Sequence, residues 1–167
     1  MTVPAGRPLD ESRPADKAYL EARRLNDEGR PSEAIRILED VLFQDDAHED
    51  AAIELGATLM DVGRAREAIS HFERLLKEHP AMVRVRLAFG QCLIRSEQLE
   101  RAVVELGTVV EQEPAWAAPF TPMIMALCRL GRVAEAKLQL ESLKAVSSDA
   151  SNLEMLTRLV TRTSRAN

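Results

Sequence analysis

Residues 29–42 read GRPSEAIRILEDVL, and 34 positions further on residues 63–76 read GRAREAISHFERLL. The next two steps of 34 land on EQLERAVVELGTVV at 97–110 and GRVAEAKLQLESLK at 131–144. In this register Ala34, Ala68, Ala102 and Ala136 occupy one position in four copies, with no insertion or deletion between them. A constant period of this length marks a chain built from stacked copies of one supersecondary unit.

Working outward from the alanines, Leu25, Leu59, Leu93 and Leu127 stand nine residues before them, and Leu38, Phe72, Leu106 and Leu140 four residues after. Val41, Leu75, Val109 and Leu143 follow three further on, and small residues hold the site twelve before in three copies: Ala22, Gly56 and Gly90, with Ile124 in the fourth. Within a unit, Leu55, Leu59 and Val62 and then Ala68, Ile69, Phe72, Leu75 and Leu76 have the spacing of two amphipathic helices. Gly29, Gly63 and Gly131 fall between the two helices of their units, where a glycine can take the left-handed conformation that ends the first. Pro31 suits the first position of the second. Each unit therefore reads as a helical hairpin whose outer apolar face must be covered by the next copy. The third copy has Glu97 at the glycine position, which predicts a reshaped turn; the fourth opens WAAPFTPM, so that its first helix is expected to begin late, near Pro119 or Pro122, or to bend.

The chain of 167 residues is long enough to bury roughly 70% of its unfolded surface. Its 46% apolar, 29% charged and 4% aromatic content leans helical, and its net charge of −5 argues against a phosphate-binding surface, so no nucleic acid is expected. Cys92 and Cys128 lack metal or redox spacing and read as reduced packing groups. The first 14 residues carry three prolines and no apolar run, which predicts a flexible tail, no leader and no membrane insertion; a cytoplasmic location is the expectation. At the other end, Ser151 and Glu154 have capping-box spacing ahead of Leu153, Leu156, Leu159 and Val160, which predicts a capping helix and a C-terminal tail over 151–167. Arg158 and Arg162 then suit its negative end.

The 34-residue period, with Leu55-Gly56, Leu59, Gly63, Ala68, Phe72 and Pro80 in the second copy, resembles the tetratricopeptide repeat. The resemblance covers residues 15–48, 49–82, 83–116 and 117–150, about four-fifths of the chain. It implies an all-α, right-handed α-α superhelix, a solenoid of four hairpins with a C-terminal capping helix. It also implies a groove lined by the first helix of each pair. Its commonly inward positions fall on Asp16, Tyr19, Leu20, Arg23, Asn26 and Asp27 in the first unit, and on Asp50, Ile53, Glu54, Ala57, Met60 and Asp61 in the second. In the third they are Arg84, Leu87, Ala88, Gln91, Ile94 and Arg95; in the fourth, Ala118, Thr121, Pro122, Met125, Cys128 and Arg129. Carboxylates gather in the first half of this set and arginines in the second, around an apolar floor with two methionines.

That pattern predicts a groove for a peptide or helix of another protein, its basic end near Asp50, Glu54 and Asp61 and its acidic end near Arg84, Arg95 and Arg129. A clamp for a C-terminal carboxylate, as in co-chaperones of the family, is excluded because only Arg84 has suitable chemistry and Glu54 would repel the ligand. No nucleophile with a base, no metal-ligand spacing and no phosphate loop accompanies His48, His71 and His79, which read as surface or boundary residues. The chain is thus expected to be a scaffold or adaptor, with no enzyme activity and no cofactor or metal. The alternatives are a self-assembling component using Trp116, Phe120 and the disturbed fourth unit in homo-oligomer contacts, or a secretion-type chaperone. The preference for arginine over lysine points to a GC-rich bacterial genome.

Overall fold

The computed structural model describes residues 6–166, and these hold nine helices and no strand. The helices are α1 (Pro14–Asp27), α2 (Pro31–Gln44), α3 (Glu49–Asp61), α4 (Ala65–Glu78), α5 (Val83–Arg95), α6 (Leu99–Gln112), α7 (Phe120–Arg129), α8 (Val133–Val146) and α9 (Ala150–Ala166). The described residues divide into two compact units, an N-terminal one over 6–92 and a C-terminal one over 93–166. The tail expected over 1–14 lies partly outside the described residues. Of the part that is described, residues 6–13 form no helix but hydrogen-bond to the first hairpin.

One turn, used four times, makes the hairpins. After α1 the Gly29 N–H donates to Asn26 O at 3.0 Å and the Arg30 N–H reaches back five residues to Leu25 O at 2.8 Å. The same two bonds recur at Gly63 and Arg64, at Glu97 and Gln98, and at Gly131 and Arg132. Such a closure requires a left-handed residue, and the φ values at the four sites are 75°, 79°, 59° and 71°. The expected reshaping at Glu97 does not occur: the backbone keeps the common turn, and a glutamate is held in a conformation that disfavours it by about 1–2 kcal/mol.

In the N-terminal unit α1 packs on α2, α2 on α3, and α3 on α4. Ala22, Ala34, Leu38, Ala68, Phe72 and Leu75 are buried. The small residue at the crossing is a steric requirement: a Cβ on Gly56 would stand 2.1 Å from Phe72 Cζ. In the C-terminal unit the interior is formed by Ala102, Leu106, Ile124, Leu127, Ala136, Leu140 and Leu143.

Here α7 has only ten residues. Pro119 is its N-cap and Pro122 its third residue, among the N–H groups that have no intrahelical partner in any helix, so neither proline breaks a bond. Trp116 and Phe120, which the alternative self-assembling reading would use in contacts between copies, are buried. The cap of α9 is also displaced: Asp149 Oδ1 accepts the Asn152 N–H at 3.1 Å, whereas Ser151 lies within the helix. Both cysteines are free and buried. Among the described residues no helix is long and apolar enough to cross a membrane.

Candidate functional site

In the N-terminal unit the face offered by α1, α3 and α5 is polar and already internally bonded. Tyr19 is buried against the His48 imidazole, with ring centroids 5.3 Å apart, and the Arg23 guanidinium lies 6.0 Å from the Tyr19 centroid. The Asn26 amide donates to Glu54 Oε1 and to Thr58 Oγ1, each at 2.7 Å. Ile53, Glu54, Met60 and Leu87 are half-buried, while Asp27, Ala57, Asp61 and Gln91 are exposed. Arg84 and Asp50, which the sequence places at opposite ends of a ligand, are partners of each other at 2.6 Å, and Arg84 also reaches Glu49 at 3.2 Å.

Asp16, at the same repeat position as Asp50 and Arg84, is fully buried. It accepts the Asp10 backbone N–H at 2.8 Å and the Arg7 guanidinium at 2.9 Å, and its Oδ1 stands 3.1 Å from His48 Nε2. The Asp10 N–H, together with the charges of Arg7 and Arg13, holds this carboxyl below the usual carboxylate range against the opposing effect of burial. Arg7 bridges on to Asp45 at 3.2 Å, which Arg13 also meets at 3.0 Å. Gly6 lies so close to Arg84 that a Cβ would fall 1.9 Å from its guanidinium. The segment from Gly6 to Arg13 thus rests on the N-terminal ends of the helices that the sequence assigns to a partner. Arg7 and Leu9, with Ala47, His48, Glu49, Asp50 and Met82, line a cavity of about 260 Å³.

In the C-terminal unit, Ile94 is half-buried and Arg95, Met125 and Arg129 are exposed; Arg129 pairs with Glu97. Beside Met125 lies an additional groove of about 530 Å³ between α7 and α9, lined by Ser151, Glu154, Met155, Arg158, Leu159 and Arg162. Apart from Met125, none of these is among the groove residues named from the sequence.

Two of the three histidines are engaged in contacts that hold the fold. His48 Nδ1 accepts the Ala51 N–H at 3.2 Å and so caps α3, and His71 Nε2–H donates to the Ala52 carbonyl at 3.1 Å. Both rings are buried, where the sequence predicts surface or boundary positions, and burial holds the His71 pKa below the ordinary imidazole value. His79, Asp46 and Glu78 bring three possible ligand atoms within 4.8 Å of one another, but the two carboxylates are exposed and Glu78 is engaged by Arg74 at 3.7 Å. The Cys128 thiol is pushed up by burial, away from thiolate chemistry.

The family model of the tetratricopeptide repeat matches residues 59–120, a stretch that includes two of the four hairpin turns. Over these residues the chain carries tetratricopeptide repeats. Solved structures of such proteins share the fold. One from Parabacteroides merdae superposes with a TM-score of 0.77 at 12% identity, over 91% of this chain and 60% of that one. MamA protein gives a TM-score of 0.74 at 15% identity over 90% and 82%; YrrB, described as a tetratricopeptide protein with an unusual peptide-binding site, gives 0.69 at 20% over 89% and 76%. No curated protein matches the sequence. Tetratricopeptide repeats support interaction with other proteins, and the first helices described above are the surface on which this chain differs from copy to copy.

Proposed function

We propose that this chain is a non-catalytic interaction module, a cytoplasmic scaffold or adaptor that binds a segment of a partner protein along the first helices of its repeats. The observation that carries the reading is the course of residues 6–13. A non-helical stretch of the chain itself lies on these helices through a backbone N–H and an arginine, the contacts an extended peptide would make. Charge supports a basic segment at this end, because Asp16, Asp45, Glu49 and Asp50 gather here. YrrB, with the same fold and a peptide-binding site, is a precedent for such use. A chaperone for an exported protein would use the same face.

The test is selection of a displayed random-peptide library on the immobilised chain, followed by anisotropy titration of the selected peptides. Ala57→Arg places bulk and charge at an exposed first-helix position, and Ser70→Arg does the same on α4. Affinity should fall about tenfold or more for Ala57→Arg, which corresponds to 1.4 kcal/mol, and stay unchanged for Ser70→Arg. Equal affinity for both variants, or no enrichment at all, overturns the reading.

A further inference from the structure

The register of the repeat does not stop at α8. One more step of 34 carries Thr121 to Met155, Met125 to Leu159 and Cys128 to Arg162. The helix α9 occupies the corresponding place in space, for it packs on both α7 and α8, and Asn152 Nδ2 donates to Thr121 Oγ1 at 2.9 Å. Its sides differ in kind. Leu156 and Val160 are buried. The positions that hold Ile124 and Leu127 in α7 hold Arg158 and Thr161 in α9, both exposed. Polar groups at these two positions are what an end cover presents to solvent.

A cover has no need of apolar groups on its remaining side, yet α9 keeps them there. Met155 is 46% exposed and Leu159 is half-buried, and with Met125 of α7, 43% exposed, they line the groove of about 530 Å³. Contiguous exposed apolar groups of this kind mark contact surfaces, and methionines adapt to what they meet. The rim supplies the sign. The Arg162 side chain makes no ion pair or hydrogen bond among the described residues. Arg158 is held by Glu154 alone, with the two side chains 77% and 65% exposed, a pair readily exchanged for another carboxylate. Residues 150–166 hold one acidic and three basic side chains in a chain of net charge −5.

We propose that the Met125–Met155–Leu159 groove docks an acidic segment of a partner protein, whose aliphatic side chains enter between α7 and α9 while its carboxylates pair with Arg158 and Arg162. This rests on the interaction-module reading and adds the chemistry of the occupant in the C-terminal unit.

The experiment titrates the full chain with two labelled synthetic peptides that share one leucine pattern, with glutamate at the remaining positions in one and lysine in the other. The glutamate peptide should bind at least about tenfold tighter than the lysine peptide at low salt, and weaken as salt is added. Met155→Glu should cost about tenfold or more, Arg162→Gln somewhat less, and Arg158→Glu combined with Arg162→Glu should reverse the preference toward the lysine peptide. All three positions are exposed, and an unchanged helical circular dichroism spectrum establishes that the variants fold. Glutamate-peptide binding that ignores the α9 variants but is lost in Ala57→Arg overturns the inference and leaves the module reading standing. Failure of both peptides together with an empty display selection overturns both. Cosedimentation with vesicles of equal parts phosphatidylcholine and phosphatidylserine, lost in Met155→Glu and not competed by the glutamate peptide, overturns it in favour of a membrane surface. Self-association lost in Met155→Glu overturns it in favour of a second copy of the chain.

Discussion

The two units use one scaffold to make unlike surfaces. Residues 5–92 carry 18 acidic and 13 basic side chains, whereas residues 93–167 carry nine of each. In the N-terminal unit the polar first-helix residues are mutually bonded, Arg84 to Asp50 and Asn26 to Glu54, and Arg7 of the leading segment meets Asp16. Their counterparts in the C-terminal unit are Ala118, Thr121 and Met125, then Met155 and Leu159 on α9, largely apolar and open. The hairpin turn is the same at all four sites. What the difference teaches is that fold and surface are set by separate positions, the first every 34 residues without exception of geometry, the second free to vary from copy to copy.

The largest expected effect comes from breaking the crossing in the N-terminal unit. Gly56→Ala would place its methyl against the Phe72 ring, which is buried and lies 5.7 Å from the Phe89 ring, leaving it nowhere to move. The cost should be about 2–3 kcal/mol by chemical denaturation, with faster amide exchange confined to residues 6–92. Next is the anchor of the leading segment. Asp16→Asn removes the charge that Arg7 and the Asp10 N–H meet, and should cost about 2 kcal/mol. Because this carboxyl titrates below its unfolded value, its contribution is present above about pH 4 and is lost as the pH falls further. An Asp16→Asn chain that acid-unfolds along the wild-type curve would show that the segment is not held there.

The repeating hairpins were legible because their causes are local and recur: a left-handed turn residue, a small crossing residue and two amphipathic periods. The α9 extension was equally legible, since Thr121 to Met155 and Met125 to Leu159 keep the period, but the polar end of the helix hides it when α9 is read only as a cover. Asp50 facing Arg84 had its signal too, for opposite charges one repeat apart at one position become neighbours in a stack. The contacts of Arg7 had none. An arginine in a proline-rich stretch meets Asp16 nine residues away and Asp45 thirty-eight away, and no periodicity relates them. His48 was misread for the same reason, its burial coming from Asp16 and Tyr19 and not from its own helix.

A smaller effect separates the units by pH. All three histidines lie in the N-terminal unit, and burial lowers the pKa of His71 while its Nε2–H bonds Ala52. The unfolded chain takes up a proton below about pH 6.5 and the folded imidazole resists it, so the contribution is present above that pH and declines as the pH falls toward the folded value. His71→Gln keeps a donor and removes the titration. Thermal unfolding from neutral pH to mildly acid pH should flatten in that variant, and an unaltered slope would assign the effect elsewhere.

The smallest effects should raise stability, and they lie in the C-terminal unit. Gly107, inside α6, has room for a methyl that would meet only Met123 Cε at 3.9 Å, so Gly107→Ala should gain about 1 kcal/mol from helix propensity, the opposite sign to Gly56→Ala. Glu97→Gly relieves a left-handed glutamate at φ 59°, a strain of about 1–2 kcal/mol, against about 0.5–1 kcal/mol of added unfolded-chain entropy. The net gain should be about 0.5 kcal/mol. The reciprocal change isolates the cause: Gly63, at φ 79°, has nothing within 4 Å of its missing Cβ, so Gly63→Ala can lose only conformational energy. It should destabilise by about 1 kcal/mol, and a neutral result would mean that the turn, at either site, tolerates any residue. Glu97→Gly also releases Arg129 from its ion pair, so that variant should raise affinity for the glutamate peptide if Arg129 belongs to the acidic-segment surface, and leave it unchanged if that surface ends at Arg158 and Arg162.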